Sequence, residues 1–260
     1  MPLKAFLKGM LQQVGLYDPD LRRLALDKIR SDDVFLCSYP KSGNTWVRFI
    51  IANLLRPNVQ ITFRNIDDVV PAIEKNTARV HRLNRRRIMK THWPLFHRFP
   101  KCVYVCRDPR DALISYYHYS RNNGWFDGDL SDFLRSGVPE EYTDWGTHVA
   151  KALAECRRRP KGLCFIKYEK LLKQPCHEAA RLNAFLEIGA APAQIEDAVQ
   201  KTSFENLRDM EMQYGPETDG DALGFFREGK ARQWETSMTV SDQQLILNRF
   251  GQAMALLDYT

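Results

Sequence analysis

Cys37-Ser38-Tyr39-Pro40-Lys41-Ser42-Gly43-Asn44-Thr45-Trp46 lies between a short apolar run, Val34 to Ser38, and a helical pattern, Thr45 to Leu55. A strand that ends in such a turn and re-enters a helix exposes backbone N–H groups at the positive end of the helix dipole, which is what a phosphate needs. Lys41 adds a point charge, and Gly43 lets the chain turn close to an anion. The spacing is not that of a Walker A loop, because Gly-x-x-x-x-Gly-Lys-Ser/Thr is absent. An ordinary strand-turn-helix connection with a surface lysine remains the plain alternative at this point.

Working outward, three further β-prone runs stand at Arg87 to Thr91, Cys102 to Cys106 and Leu163 to Lys167. Each is short and apolar without clean alternation, as strands buried on both faces tend to be. Helical patterns cover Pro109 to Ser120, Tyr168 onwards and then through Phe185, Thr143 to Arg158, Ile195 to Lys201, Ser203 to Met212 and Ser241 to Leu256. The alternation predicts one α/β domain with a central parallel sheet flanked by helices. We expect a helical extension over residues 1–30 and the α/β core over 31–260. The stretch from Gln213 to Gly224, rich in Gly, Asp and Pro, reads as a mobile loop or lid.

The 260 residues carry a formal net charge of +6, with 44% hydrophobic and 27% charged residues. That balance suits a soluble globular protein and does not choose between anionic partners. No run reaches the roughly 20 apolar residues of a membrane span, and Lys4, Lys8 and Gly9 break any signal-peptide pattern. The expected location is cytoplasmic. Cys37, Cys102, Cys106 and Cys164 lie in the apolar runs and read as reduced core thiols. Leu3, Phe6, Leu7, Met10, Leu11 and Val14 repeat at helical spacing, so residues 1–16 form either a helix packed on the domain or one lying on a membrane surface.

Two other strand ends carry chemistry. Val103-Tyr104-Val105-Cys106-Arg107-Asp108-Pro109 ends a strand in a basic residue, with Asp108 as N-cap and Pro109 at the first helical position. Arg107 and Ser115 could meet on one anion, or Arg107 could simply pair with Asp108 or Asp111. In Lys90-Thr91-His92-Trp93-Pro94, an extended backbone points Lys90 and His92 to the same side.

Together these blocks resemble the PAPS-dependent sulfotransferases of the cytosolic type (PAPS is 3′-phosphoadenosine 5′-phosphosulfate), in a short, bacterial-like form. Tyr39 to Trp46 is similar to the family's 5′-phosphosulfate loop, where Thr usually stands at the position of Asn44. The resemblance implies that Lys41, Ser42, Gly43, Asn44, Thr45 and Trp46 hold the donor, and that Arg107 and Ser115 take its 3′-phosphate. It implies that Tyr168, Thr202 and Phe204 contact the adenine, and that Arg227, Glu228 and Gly229 belong to the segment closing over the 3′-phosphate. His92 would be the general base, Lys41 would stabilise the leaving nucleotide, and Lys90 would offset charge on the sulfuryl oxygens. Ser115 would also hold Lys41 away from the donor until the acceptor binds. The acceptor is a hydroxyl or amine on a small molecule, lipid or glycan, and no metal is required.

The chain departs from the pattern at Glu228, where the family usually has Lys. One unit charge at about 4 Å and an effective dielectric near 20 is worth roughly 4 kcal/mol, and Lys230 or Arg232 would have to compensate. The family's dimer motif is incomplete around Glu235, Thr239, Val240 and Gln244, so the oligomeric state stays open. Rival readings are a non-catalytic PAPS- or anion-binding module and a P-loop-type phosphotransferase. Arg85 to Arg87 and Arg157 to Arg159 suggest a nucleic-acid or membrane-surface binder, but such triplets are usually solvated, and no nucleic-acid partner is expected. Phe63, Trp93, Phe96, Trp125, Phe126, Tyr142, Phe225 and Phe226 are the aromatic candidates for an acceptor pocket.

Overall fold

The four apolar runs form four strands: β1 (Val34–Ser38), β2 (Ile88–Thr91), β3 (Lys101–Cys106) and β4 (Leu163–Lys167). A computed structural model of the chain describes residues 18–24, 26–75, 80–81, 83, 86–139, 141–217 and 221–259. The expected amphipathic helix within residues 1–16 lies outside them. The strands are all parallel in the order β2-β1-β3-β4, with Val34 opposite both Ile88 and Lys101, and Cys102 opposite Leu163.

Both faces of the sheet are covered, which is why the strands read as continuous apolar runs. Val34, Leu36, Val103, Val105 and Ile166 pack on α1 (Asn44–Leu55) and on Pro175–Leu186. Phe35, Cys37, Met89, Tyr104 and Cys106 face α2 (Pro109–Asn122), α3 (Trp145–Arg158) and Val240–Ala255. Cys37, Cys102, Cys106 and Cys164 are buried free thiols, as expected. Asp108 caps α2 by accepting from the Arg110 amide, with Pro109 at the first helical position.

Four arginines of the two triplets make structural contacts, and Arg157 is exposed. Arg87 is buried and ion-paired with the buried Asp33, its Nε donating at 2.8 Å. Arg86 donates to the Leu186 carbonyl, while Arg158 and Arg159 share Glu155. Among the described residues, no helix is long and apolar enough to cross a membrane.

Because β2 and β3 lie on opposite sides of β1, the connections leaving β1 and β3 diverge at their carboxyl ends and open a crevice there. That is where ligands bind in open parallel sheets. Lys41, His92, Arg107 and Tyr168 each follow directly from a different strand end.

Candidate active site

The turn after β1 is wound tightly. Lys41 takes φ 62° and Gly43 φ 95°, with Gly43 as the N-cap of α1 and no side chain capping the helix. A side chain at Gly43 would collide with the Tyr168 ring, so glycine is required there for close packing as well as for its backbone. The helix amides are left for something other than a cap.

A cavity of about 540 Å³ opens at this point. Lys41, Gly43, Asn44, Thr45, Trp46, Lys90 and His92 line one side of it. Arg107, Ser115, Arg227, Glu228 and Gly229 line it as well, as do Tyr168, Thr202 and Phe204. Among the catalytic and donor-binding residues nominated from sequence, only Ser42 is not on the wall, and it is fully buried.

Several polar atoms here have no hydrogen-bond partner among the described residues: Lys41 Nζ, Ser42 Oγ, Asn44 Oδ1, Trp46 Nε1 and Arg107 Nε. Buried polar atoms are normally paired, and a cluster of orphans in one cleft marks a place built for a polar ligand. Most of these atoms are donors, which suits an anion, and the flanking rings suit a flat base. Trp46 and Tyr168 meet edge-on with centroids 5.7 Å apart, and the Arg107 guanidinium lies 4.4 Å from the Tyr168 ring centroid. A phosphorylated adenosine therefore fits the residues present.

Lys41 Nζ is held only by aromatic faces, 4.0 Å from the Tyr119 centroid and 3.6 Å from that of Phe225. Burial, reinforced by the neighbouring charges of Lys90 and Arg107, brings its pKa down to about 7. Ser115 lines the same cavity without hydrogen-bonding Lys41 Nζ. The two aromatic rings hold the ammonium in this structure, and its Nζ has no hydrogen bond.

His92 is fixed by its backbone and by one ring nitrogen. Nδ1–H donates to the Ser38 carbonyl at 2.8 Å, so the lone pair is on Nε2 and available to the cavity. The His92 carbonyl accepts from His148 Nε2 at 3.0 Å, and His148 Nδ1 accepts from the Tyr104 hydroxyl at 2.9 Å. Its amide donates to Glu74 at 2.8 Å. Burial, with the Lys90 charge beside it, pushes the His92 imidazole down to about 3, so it is neutral in the free protein.

The residues expected at the 3′-phosphate are partly engaged with one another. Arg227 ion-pairs with Glu228 and donates to Gln233. Neither expected compensator lines the cavity: Arg232 is turned out onto Glu235, and the Lys230 carbonyl accepts from Arg107 at 3.0 Å. The Thr202 hydroxyl donates back to the Ala198 carbonyl at 2.8 Å, so its proton is already used. Gly229, at φ 64°, sits against the Phe204 ring where any side chain would overlap it.

Of the aromatic candidates, Trp125, Tyr142, Phe225 and Phe226 line the cavity. Phe63 and Phe96 are core, and Trp93 and Phe126 pack against the core. Sequence reading missed Arg48, Glu74, Tyr116, Tyr119 and Glu217. Glu217 belongs to the expected lid, yet it is buried in the site, accepting from Lys90 and Arg48. An arginine amid Val47, Phe49, Ile50 and Ile51 was the one local signal for this cluster.

Comparison with known proteins agrees with this geometry. The family model described as Sulfotransferase domain matches residues 31–258. The chain is 26% identical over 245 residues to Sulfotransferase 1B1 of Canis lupus familiaris, covering 83% of this chain and 81% of that one. It is 28% identical over 249 residues to Flavonol 4′-sulfotransferase of Flaveria chlorifolia, covering 82% and 76%. Mouse sulfotransferase SULT7A1, solved in complex with PAP, superposes with a TM-score of 0.68 at 25% identity, covering 87% of this chain and 85% of that one.

Proposed function

The chain belongs to the sulfotransferase family and transfers a sulfuryl group from PAPS to an acceptor; we propose that His92, Lys41 and Lys90 carry the reaction and that the acceptor is a small alcohol with an apolar aromatic or sterol-like body. The observation that carries this reading is the set of unpartnered buried donors around Lys41, facing His92 across one cavity. PAPS, when bound, supplies an activated sulfuryl group on its 5′-phosphate.

The residues would divide the work as follows. Thr45, Asn44 and the loop amides bind the 5′-phosphate end, while Trp46, Tyr168 and Phe204 hold the base. Arg107, Ser115 and Arg227 take the 3′-phosphate. His92 Nε2 receives the acceptor's proton, a contribution worth roughly 10²–10⁴-fold. An imidazole near pKa 3 is a weak base in the free protein. Negative charge in the adjoining subsite raises it again, because an opposite charge within ~4–6 Å favours the protonated form. Lys41 and Lys90 meet the charge that develops on the leaving and transferring oxygens.

Trp125, Tyr142, Phe225 and Phe226 favour a flat apolar acceptor over a glycan. The Flaveria relative, by name a flavonol 4′-sulfotransferase, points the same way. We also propose residues 31–260 as the transferring domain. The pattern in 1–16 would add membrane-surface contact if liposome co-sedimentation is lost when those residues are removed.

Calorimetric titration with PAP (adenosine 3′,5′-bisphosphate), beside the analogue lacking the 3′-phosphate, tests the donor assignment. Micromolar binding of PAP that weakens at least tenfold without the 3′-phosphate is expected. Equal binding of the two, or none, refutes the assignment.

A further inference from the structure

Glu217 occupies the centre of the cation cluster. Its Oε1 accepts from Lys90 Nζ at 2.8 Å and from Arg48 Nη1 at 2.9 Å, and its Oε2 accepts from Thr45 Oγ1 at 2.8 Å. Two of these three donors, Thr45 and Lys90, are ones the donor reading needs for the phosphosulfate. The third is not part of that assignment. Arg48 follows Thr45 by three residues on α1, so the two side chains share a helix face. Its guanidinium is 1% exposed, with Nε donating to the Val70 carbonyl at 2.6 Å and Nη2 paired with Asp67. Held from behind in this way, Arg48 aims Nη1 at the carboxylate.

Resting on the donor reading, we infer that Arg48 is a third cation of the transfer centre, and that Glu217 fills its oxyanion position until the donor's phosphosulfate displaces it. A carboxylate presents two oxygens much as a sulfuryl or phosphoryl group presents its own. The three donors that satisfy Glu217 would satisfy those oxygens without rearrangement. Arg48 is well suited to the task because its fork is planar, permanently charged and already fixed on one side. Glu217 and the phosphosulfate cannot share this place, since two buried anions would compete for the same three donors and repel each other. Glu217 comes from the segment that follows Phe204–Tyr214, so its departure need not disturb the strand ends.

The test uses the full chain and three proteins: wild type, Glu217→Ala, and Arg48→Lys/Glu217→Ala. Thermal unfolding is followed with sodium sulfate against sodium chloride at matched ionic strength. Sulfate is expected to raise the melting temperature of Glu217→Ala saturably in the millimolar range, by more than that of wild type, and to act more weakly on the double variant. PAP is expected to bind Glu217→Ala at least tenfold more tightly than wild type. Should the double variant fail to fold, Glu217→Gln replaces it; the inference then requires PAP affinity between those of wild type and Glu217→Ala. Normal PAP binding by wild type without tightening in Glu217→Ala, or absence of the sulfate effect, overturns this inference alone. Failure of PAP to bind either protein overturns the donor reading and this inference together.

Discussion

Donor binding should be coupled to the uptake of a proton by Lys41. The ammonium is buried against the Tyr119 and Phe225 rings, has no hydrogen bond, and faces the charges of Lys90 and Arg107, which together bring its pKa down to about 7. At pH 8, about nine-tenths of the free protein therefore carries a neutral Lys41. Phosphate oxygens beside Nζ favour the charged form, so PAP binding at pH 8 should take up about 0.9 proton, whereas the share of Lys41 alone falls to about 0.1 at pH 6. Affinity should fall by about 50-fold between pH 7 and pH 9 if Lys41 stays charged in the complex. Glu217 adds nothing to this balance at pH 8, since its neighbouring cations hold its carboxyl well below the usual range and it is ionised free or displaced. The phosphates of PAP, with second ionisations near pH 6, are already fully charged at pH 8. Calorimetry in HEPES and in Tris at matched ionic strength gives the proton count from the difference in apparent enthalpy. Lys41→Met should bind more weakly and take up none. Zero uptake by wild type at pH 8 would refute the environment assigned to Lys41. The same depression has a stability consequence. Between pH 7 and 10.5 the unfolded chain holds a proton that the folded one has lost, so Lys41 makes the free protein more stable as pH rises through that window. Below pH 7 it imposes the full cost.

Other perturbations address the remaining parts. His92→Ala should lower kcat by roughly 10²–10⁴-fold with a high-pKa alcohol while leaving PAP affinity within a few-fold; turnover within a few-fold of wild type would remove the base assignment. Glu228→Lys should release Arg227 and tighten PAP binding by up to about fivefold, because an exposed ion pair contributes only ~0.2–1 kcal/mol. The analogue lacking the 3′-phosphate should not respond, and an equal gain for both ligands would place Glu228 elsewhere in the site. Arg87→Met leaves Asp33 charged and buried, and should cost about 3–5 kcal/mol in urea unfolding; a loss below 1 kcal/mol would mean the pair is hydrated.

The strands and the strand-end residues were legible in sequence for the same physical reason. A parallel sheet covered on both faces needs unbroken apolar runs such as Val34 to Ser38, and each run stops where the backbone must turn polar. Tyr39 to Trp46, Lys90 to His92 and Arg107 to Ser115 are contiguous, so the chemistry each brings can be read from neighbours in the chain. Glu217 is another matter. Its partners Lys90, Arg48 and Thr45 are 127, 169 and 172 residues away, and its own segment looks like any polar loop. The Arg227–Glu228 pairing and the outward turn of Arg232 are also invisible in sequence, because neighbouring charges of both signs can pair in several ways.

What connects these cases is how a site built for an anion stores its cations. A buried positive charge without a partner is costly, and each side chain here meets that cost in the way its chemistry allows. Lys41 can lose its proton and does so as pH rises above about 7, with its amine against two rings. Arg107 cannot, so it spends Nη1 and Nη2 on the carbonyls of Lys41 and Lys230 and lays its plane over Tyr168, keeping only Nε unpaired. Arg48 cannot either, and being more deeply buried it needs a full countercharge, which Asp67 supplies from behind and Glu217 from the site side. A lysine's charge can thus be restored from solvent by the arriving ligand, whereas the arginine's can be freed only by displacing a carboxylate. Proton uptake at Lys41 and anion exchange at Arg48 are therefore distinct steps, coupled through the Glu217 charge that holds the Lys41 pKa up. Loss of that charge only lowers the Lys41 pKa further, so Glu217→Ala should change PAP affinity while leaving most of the proton uptake at pH 8 in place.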